Sequence, residues 1–375
     1  MILTLGSMLQ LLAAGALSLP ALLVAVLTAP VVALLSIPSL LLLKYRKPHP
    51  PKSVIPDHVV ITGGSSGIGF ALAKECVVHN SRAGGGDGIS KITILARNQT
   101  KLDKAKKELE TLVKEQDKNI QIRAISVSVS DYTALDKVAK ELVDPEESLT
   151  LFNCAGYCHP GYWEDIPPEQ YQSMVNTNQL GSMYATRAFL NYMTSGLIVL
   201  CSSAAGQVGV FGFTGYAPTK YALRGFAEAL HQELCMKPIN VQLVFPIDTD
   251  TEGYQVELEL TPAETKAISD DAGGLSKPED VARRMFQSTI HNNPNFLVYF
   301  SFEGWMLTNF TAGMSPVTGL WDAVTQVALS GIFRYVSLFY LNDWWRTFAK
   351  MDKEKAQTTK DQDVTDKDDS SIKKD

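Results

Sequence analysis

Between residue 57 and about residue 300, short apolar and β-branched runs alternate with longer segments whose apolar residues recur at helical spacing. The runs "HVVITGG", "KITILAR", "IRAISVSV", "LTLFNCAG", "LIVLCSS", "VQLVFP" and "FLVYF" read as strands. The segments between them read as helices. In "IGFALAKECVVH", Ile68, Leu72, Ala73 and Cys76 share one side; in "KLDKAKKELETLVKE", Leu102, Ala105, Leu109, Leu112 and Val113 do the same. "PEQYQSMVNTNQLGSMYATRAFLNYM" reads as one long helix, and further helices hold "GYAPTKYALRG" and "PEDVARRMFQSTI". Repeated βα units predict an α/β fold, a doubly wound parallel sheet with helices on both faces. Strands this uniformly apolar suit the buried centre of such a sheet.

Hydropathy changes sharply outside this block. Residues 1–43 contain no Asp, Glu, Lys, Arg or His. A cleaved signal peptide needs a basic start and a short apolar core, and this stretch has neither. About 20 apolar residues cross a bilayer, so the stretch predicts a membrane anchor of one long span or two short ones. Pro20, Pro30 and Pro38 also allow a re-entrant hairpin. Lys44, Arg46, Lys47 and Lys52 follow, which puts the next domain on the cytosolic side. The chain therefore divides into a hydrophobic anchor with basic linker (1–56), a folded domain (57–300), an apolar and aromatic segment (301–349) and a charged tail (350–375) expected to be disordered. Glu303, Asp322 and Arg334 interrupt the third part, so interfacial or membrane-dipping helices are expected there. A span with Arg334 reaching to the interface, or a plain extension of the soluble core, are the alternatives.

A net charge of −6 gives no electrostatic case for nucleic acid as a partner. The five cysteines, Cys76, Cys154, Cys158, Cys201 and Cys235, are odd in number and lack CxxC spacing. They fit a reducing compartment better than a disulfide scaffold or a zinc site, and no metal is expected.

Thr62, Gly63, Gly67 and Gly69 form T-G-x-x-x-G-x-G at the end of the first strand and the start of a helix. That is where a dinucleotide's phosphates are held, as in a Rossmann-like fold. Gly63 suits the tight turn, Gly67 a close approach of phosphate, and Gly69 close helix–strand packing. The helix N-terminus adds free N–H groups and the positive end of its dipole. The second strand ends at Arg97, with Lys101 one turn later and no Asp or Glu expected in reach. A basic residue at this place suits the 2′-phosphate of NADP(H), so NADPH is the expected cofactor.

Tyr216 and Lys220 lie four residues apart, on one helical face. Ser203 ends a strand 13 residues before Tyr216, and Asn178 lies upstream in the long helix. A phenol with a pKa of about 10 holds its proton at neutral pH and can give it up; a nearby cation would lower that pKa. Ser203 can donate a hydrogen bond to a carbonyl oxygen. The set suits proton delivery to a ketone oxygen while hydride reaches its carbon.

TGxxxGxG, "NCAG" (153–156), Asn178, Ser203 and Y-x-x-x-K, in this order, resemble the short-chain dehydrogenase/reductases over roughly residues 57–300. The resemblance implies that Tyr216 is the catalytic acid/base, that Lys220 lowers its pKa and bonds the nicotinamide ribose, and that Ser203 orients the substrate carbonyl. It implies that Asn178 holds a proton-relay water, that Gly63, Ser65, Ser66, Gly67, Ile68 and Gly69 line the pyrophosphate, and that Asn153 lies beside the adenosine ribose. It also implies a homodimer or homotetramer, paired through the helices that carry Asn178 and Tyr216.

The chain departs from the family pattern in two places. Ser128 stands where an aspartate usually meets the adenine amino group, and Ile247 replaces the glycine of Pro-Gly after the sixth strand. Pro246 and Asp248 to Thr251, with "GQVGVFGF" and "ARNQTKL", resemble one branch of the family. Its members are NADPH-dependent enzymes of the endoplasmic reticulum membrane that reduce a long-chain amino ketone lipid in sphingolipid synthesis. A reductase of another lipophilic ketone, such as a steroid or a very-long-chain 3-ketoacyl thioester, is the alternative; a non-catalytic dinucleotide-binding scaffold is a more distant one. The segment 81–91, "SRAGGGDGISK", is longer than the usual turn and is assigned no function.

Overall fold

A computed structural model describes residues 55–79, 88–271, 274–290, 295–313, 315–316 and 320–372. The anchor expected over residues 1–43, its basic exit and most of the 81–91 loop lie outside the described residues.

Seven strands form one sheet: β1 (His58–Thr62), β2 (Lys91–Ala96), β3 (Gln121–Ser126), β4 (Leu149–Asn153), β5 (Gly196–Cys201), β6 (Ile239–Phe245) and β7 (Leu297–Tyr299). Their order is β3-β2-β1-β4-β5-β6-β7, and every neighbouring pair is parallel. The chain runs outward from β1 to β3, then returns to β4 beside β1. That reversal opens a crevice at the carboxyl ends of β1 and β4, the usual ligand position in such sheets.

Two apolar layers flank the sheet, as the uniformly apolar strands require. One contains α1 (Gly67–Val78), α2 (Gln99–Glu115) and α9 (Pro278–Thr289). The other contains α3 (Tyr132–Leu142), α5 (Gly181–Leu190) and α6 (Ala217–Glu233). The strand pattern names no helix between β3 and β4, yet α3 is there. Asp131 caps it by accepting from the Ala134 N–H at 3.0 Å, and Leu135, Ala139 and Leu142 are buried.

The long helix expected over residues 168–193 is not uniform. It comprises α4 (Pro168–Met174), a π-helical turn (Val175–Leu180) and then α5. Asn178 sits in the widened turn, fully buried. Such insertions gather at functional sites.

Past β6 lie α7 (Glu252–Leu260) and α8 (Ala263–Asp271), then α10 (Ser301–Phe310) and α11 (Leu320–Ile372). The tail expected to be disordered instead continues α11 to Ile372. Local and tertiary contacts hold its first turns. Lys350 pairs with Glu354 one turn on, and Lys355 Nζ donates to Glu264 Oε1 at 2.6 Å and Tyr162 OH at 2.7 Å. Phe348 packs on Phe211 with ring centres 5.0 Å apart. Residues 301–349 spend part of their apolar surface on the protein itself: Phe333 and Val336 are buried, while Leu338 and Trp345 are exposed. Among the described residues no helix is long and apolar enough to cross a membrane.

Candidate active site

The crevice beside β1 is a groove of about 420 Å³. One end is formed by the turn after β1, with Gly63, Ser65, Ser66, Gly67, Ile68 and Gly69 all in its lining. Gly63 adopts φ +68°, and a Cβ there would stand 2.9 Å from the Ala155 backbone. A Cβ at Gly69 would meet the Gly63 carbonyl oxygen at 2.5 Å, so only glycine lets α1 start this close to the strand. Ser66 caps α1 without a side-chain hydrogen bond, and no acid lies in the first turn. The helix end is thus open to an anion.

Arg97, Asn98 and Lys101 line the groove elsewhere, as does Ser128. Contrary to expectation, an acid does reach Lys101. Glu252, arriving on α7, accepts from Lys101 Nζ at 2.6 Å. Both side chains are exposed, so the pair is weak and a phosphate can displace the carboxylate. Asn153 does not line the groove: it is buried beneath it, with Nδ2 donating to Thr186 Oγ1 at 3.2 Å. The following residues, Cys154, Ala155 and Gly156, supply that wall. A glycine-floored groove, an open helix N-terminus and a basic end together fit a dinucleotide.

The four residues expected to do chemistry converge beyond Gly156. A Cβ at Gly156 would lie 3.1 Å from Asn178 Oδ1 and 3.4 Å from Lys220 Nζ, so the glycine keeps that space open. Asn178 is a strut. Its Nδ2 donates to Tyr157 O (2.9 Å) and Thr219 Oγ1 (3.1 Å), and its Oδ1 accepts from Tyr157 N–H (3.0 Å). Thr219 in turn donates to Tyr216 O at 2.7 Å, which ties the strut to the start of α6.

Lys220 is buried, with Nζ 5.6 Å from the Tyr216 ring centre and donating to Cys201 O at 2.9 Å. Ser203 lies two residues past β5 and caps the next short turn, its Oγ accepting from Ala205 N–H at 3.2 Å, and it hydrogen-bonds the Tyr216 phenol. Phe213 holds the ring edge-on, centres 5.5 Å apart.

One expectation is reversed. Burial pushes the Tyr216 phenol well above its ordinary value, Cys158 and Glu257 add to this, and only the Ser203 hydrogen bond opposes it. Lys220 does not offset the burial, and burial lowers its own pKa in turn. In the protein alone Tyr216 is therefore a firmly protonated acid at neutral pH rather than a phenol near ionisation. Neutral Tyr216 is the form that a reduction needs. Glu257 is itself shifted: burial and then Asp248 raise its carboxyl to about 7.

A second cavity, of about 260 Å³, opens at Ser203. Its walls are mostly apolar, including Phe213, Met306, Leu307, Phe333, Leu341 and Trp344. The wall therefore draws on α10 and α11, outside the sheet domain. Gln207 and Asp248 are polar residues in it. The sequence pattern marked both only as parts of branch motifs, Asp248 after Pro246 and Gln207 within "GQVGVFGF". Gln207 follows Ser203 across one short turn, while only the fold brings Asp248 beside it.

A family model described as short chain dehydrogenase matches residues 57–259. The chain belongs to the short-chain dehydrogenase family. It is 42% identical over 296 residues to a 3-dehydrosphinganine reductase of Danio rerio, covering 76% of this chain and 84% of that one. It is 39% identical over 294 residues to a 3-ketodihydrosphingosine reductase of Bos taurus, again covering 76% and 84%. Among solved structures, a short chain dehydrogenase from Burkholderia cenocepacia J2315 in complex with NADP matches with a TM-score of 0.53 and 23% identity, over 66% of this chain and 95% of that one. At that identity the likeness speaks for the short-chain dehydrogenase fold.

Proposed function

We propose that the protein reduces 3-ketodihydrosphingosine to dihydrosphingosine with NADPH, a step of sphingolipid synthesis. The observation that carries this reading is the apolar cavity opening at Ser203, walled by α10 and α11. It offers a long aliphatic chain a dry path that ends beside a carbonyl-binding hydroxyl and a protonated phenol. The names of the relatives support the same substrate.

NADPH, when bound, supplies the hydride that reaches the ketone carbon. Gly63, Ser65, Ser66, Gly67, Ile68 and Gly69 would hold its pyrophosphate, and Arg97 and Lys101 its 2′-phosphate. Ser203 donates a hydrogen bond to the substrate carbonyl and so fixes where the oxygen sits. Tyr216 gives its proton to that oxygen as the alkoxide charge develops. Lys220 holds positive charge under the phenol, which steadies the phenolate left behind. Asn178 keeps the 157 loop and the start of α6 in register, next to the water that restores the proton.

In this reading residues 1–43 anchor the protein in the endoplasmic reticulum membrane and the catalytic domain faces the cytosol, where a lipid ketone can enter from the bilayer. The uncharged run and the four basic residues after it support that placement. The protomers pair, as homodimer or homotetramer, through α4–α5 and α6; exposed Tyr221 on α6 supports this.

The test is NADPH oxidation by detergent-purified protein given 3-ketodihydrosphingosine, a steroid ketone or a long-chain 3-ketoacyl thioester. Turnover of the steroid but not of the sphingoid ketone would overturn the assignment. Tyr216→Phe should lower kcat at least about a hundredfold with the fold intact. Full activity in that variant would overturn the proton donor.

A further inference from the structure

Gln207 and Asp248 line the apolar cavity together with Ser203, and the chemistry above uses neither. Gln207 follows the short helical turn after Ser203 and is 4% exposed. One end of its amide meets Thr311 Oγ1 at 3.0 Å; the other, placed as Nε2, is buried with no partner. A buried amide end without a partner is costly enough to imply one. Thr311 also reaches the Leu307 carbonyl at 2.9 Å, so its single proton leaves the amide free to be turned either way. A hydroxyl, which both donates and accepts, satisfies the free end in either orientation.

Asp248 sits just after β6, where the chain departs from its family's Pro-Gly. It lines this cavity and a smaller one of about 170 Å³ beside it, shared with Phe213 and Glu257. Its carboxyl is hydrogen-bonded to Ser269 and makes no ion pair among the described residues. The wall also carries Glu303 and Arg334, with no ion pair to Asp248 among the described residues, and an anion in a largely apolar wall favours the arrival of a cation. Glu257 lines the smaller cavity as well, its carboxyl raised to about 7 by burial and by Asp248.

The substrate proposed above bears an ammonium on the carbon next to its ketone and a hydroxyl on the carbon after that. Its aliphatic chain leaves on the other side. We propose that Asp248 receives the ammonium and Gln207 the terminal hydroxyl, so that these two residues select amino-alcohol ketones from other lipid ketones. The assignment rests on the reading of the site as a sphingoid ketone reductase. It gives a chemical reason for the aspartate in the branch motif: the residue reads the group that sets this substrate apart from steroids and ketoacyl thioesters.

The experiment measures kcat/KM of the full-length protein in detergent for three ketones of one chain length. These are the complete amino-hydroxy ketone, a 2-amino ketone lacking the hydroxyl, and a 1-hydroxy 3-ketone lacking the amine. The unaltered protein should prefer the complete ketone over each analogue by roughly tenfold to a hundredfold. Asp248→Asn should erase the preference for the amine and leave turnover of the amine-free ketone near its original level. Gln207→Met, close in shape but without the polar end, should erase only the preference for the hydroxyl. Each readout is a ratio within one variant, so partial loss of folded protein cancels. Equal losses on complete and truncated ketones would overturn the assignment and leave the residue a structural role. So would an unaltered protein that treats the three ketones alike. Turnover of none of them, with NADPH still bound, would instead overturn the functional reading and this assignment with it.

Discussion

Asn178→Ala removes a side chain that makes three hydrogen bonds inside the π-helical turn, to Tyr157 N–H, Tyr157 O and Thr219 Oγ1. Net hydrogen bonds are worth about 0.5–1.5 kcal/mol each, and a buried group left unpaired costs about 1–3 kcal/mol. Thr219 keeps its bond to Tyr216 O, so the main loss falls on the two backbone groups of Tyr157. Water entering the space left by the amide would recover part of it. Together these give a destabilisation of roughly 2–4 kcal/mol. The same strut spaces the 157 loop from the residue that starts the catalytic helix. Its loss should therefore also lower kcat, by on the order of a hundredfold if Tyr216 shifts by about 1 Å. Asn178→Asp keeps the acceptor for Tyr157 N–H but turns a carboxylate oxygen toward Tyr157 O and Thr219. It should fall between wild type and alanine in stability. Urea unfolding of the detergent-solubilised protein gives the first quantity, and single-turnover NADPH oxidation gives the second. An alanine variant with an unchanged midpoint and unchanged kcat would refute the strut. A loss of kcat at full stability would shift the role of Asn178 from framework to the relay water.

Two further outcomes follow from the same geometry. Arg97→Ala combined with Lys101→Ala should raise KM for NADPH about tenfold or more and leave KM for NADH nearly unchanged; equal changes for both cofactors would remove these residues from the 2′-phosphate site. His58, buried in β1 with Nε2 2.9 Å from Thr93 Oγ1, has its pKa lowered from 6.5 to about 3, chiefly by burial. Between those values the unfolded chain binds a proton that the folded one refuses, so stability falls as pH drops. The loss from pH 7 to pH 5 should be about 2 kcal/mol, and it should vanish in His58→Leu. An identical pH slope in both proteins, read by denaturant unfolding, would contradict it.

The inner strands were legible because parallel strands buried on both faces leave apolar runs, as "LIVLCSS" and "VQLVFP" do. The glycine turn, Ser203, Tyr216 and Lys220 were legible because their spacing is fixed by a strand end, a turn and one helical face. The π turn was hidden. The polar interval Asn176 to Gln179, between Val175 and Leu180, is too short to tell one extra residue per turn from an ordinary polar face. α7 escaped for a different reason: it buries none of its residues and so carries no apolar stripe to detect. The helical tail was missed because its charged composition suits both a disordered segment and a helix held by i, i+4 pairs and by Glu264. The high phenol pKa comes first from burial and then from Cys158 and Glu257, which belong to separate parts of the chain. Nothing in the local sequence around Tyr216 announces either neighbour. Asp248 and Gln207 stood in the branch motifs, but that they share one cavity wall was visible only in the fold.

The outer wall of the lipid cavity is the chain's own last helix, tied across by Lys355 to Glu264 and Tyr162 and by Phe348 to Phe211. Active-site volume in this protein is therefore set partly from its C-terminal end, far in sequence from the nucleotide turn. Trimming the chain at residue 349, a natural choice for anyone reading the charged tail as dispensable, would cut away that Lys355 tie and leave the last cavity-lining turns of α11 unbraced. Variation in the tail among related proteins would then act as a dial on which lipids fit.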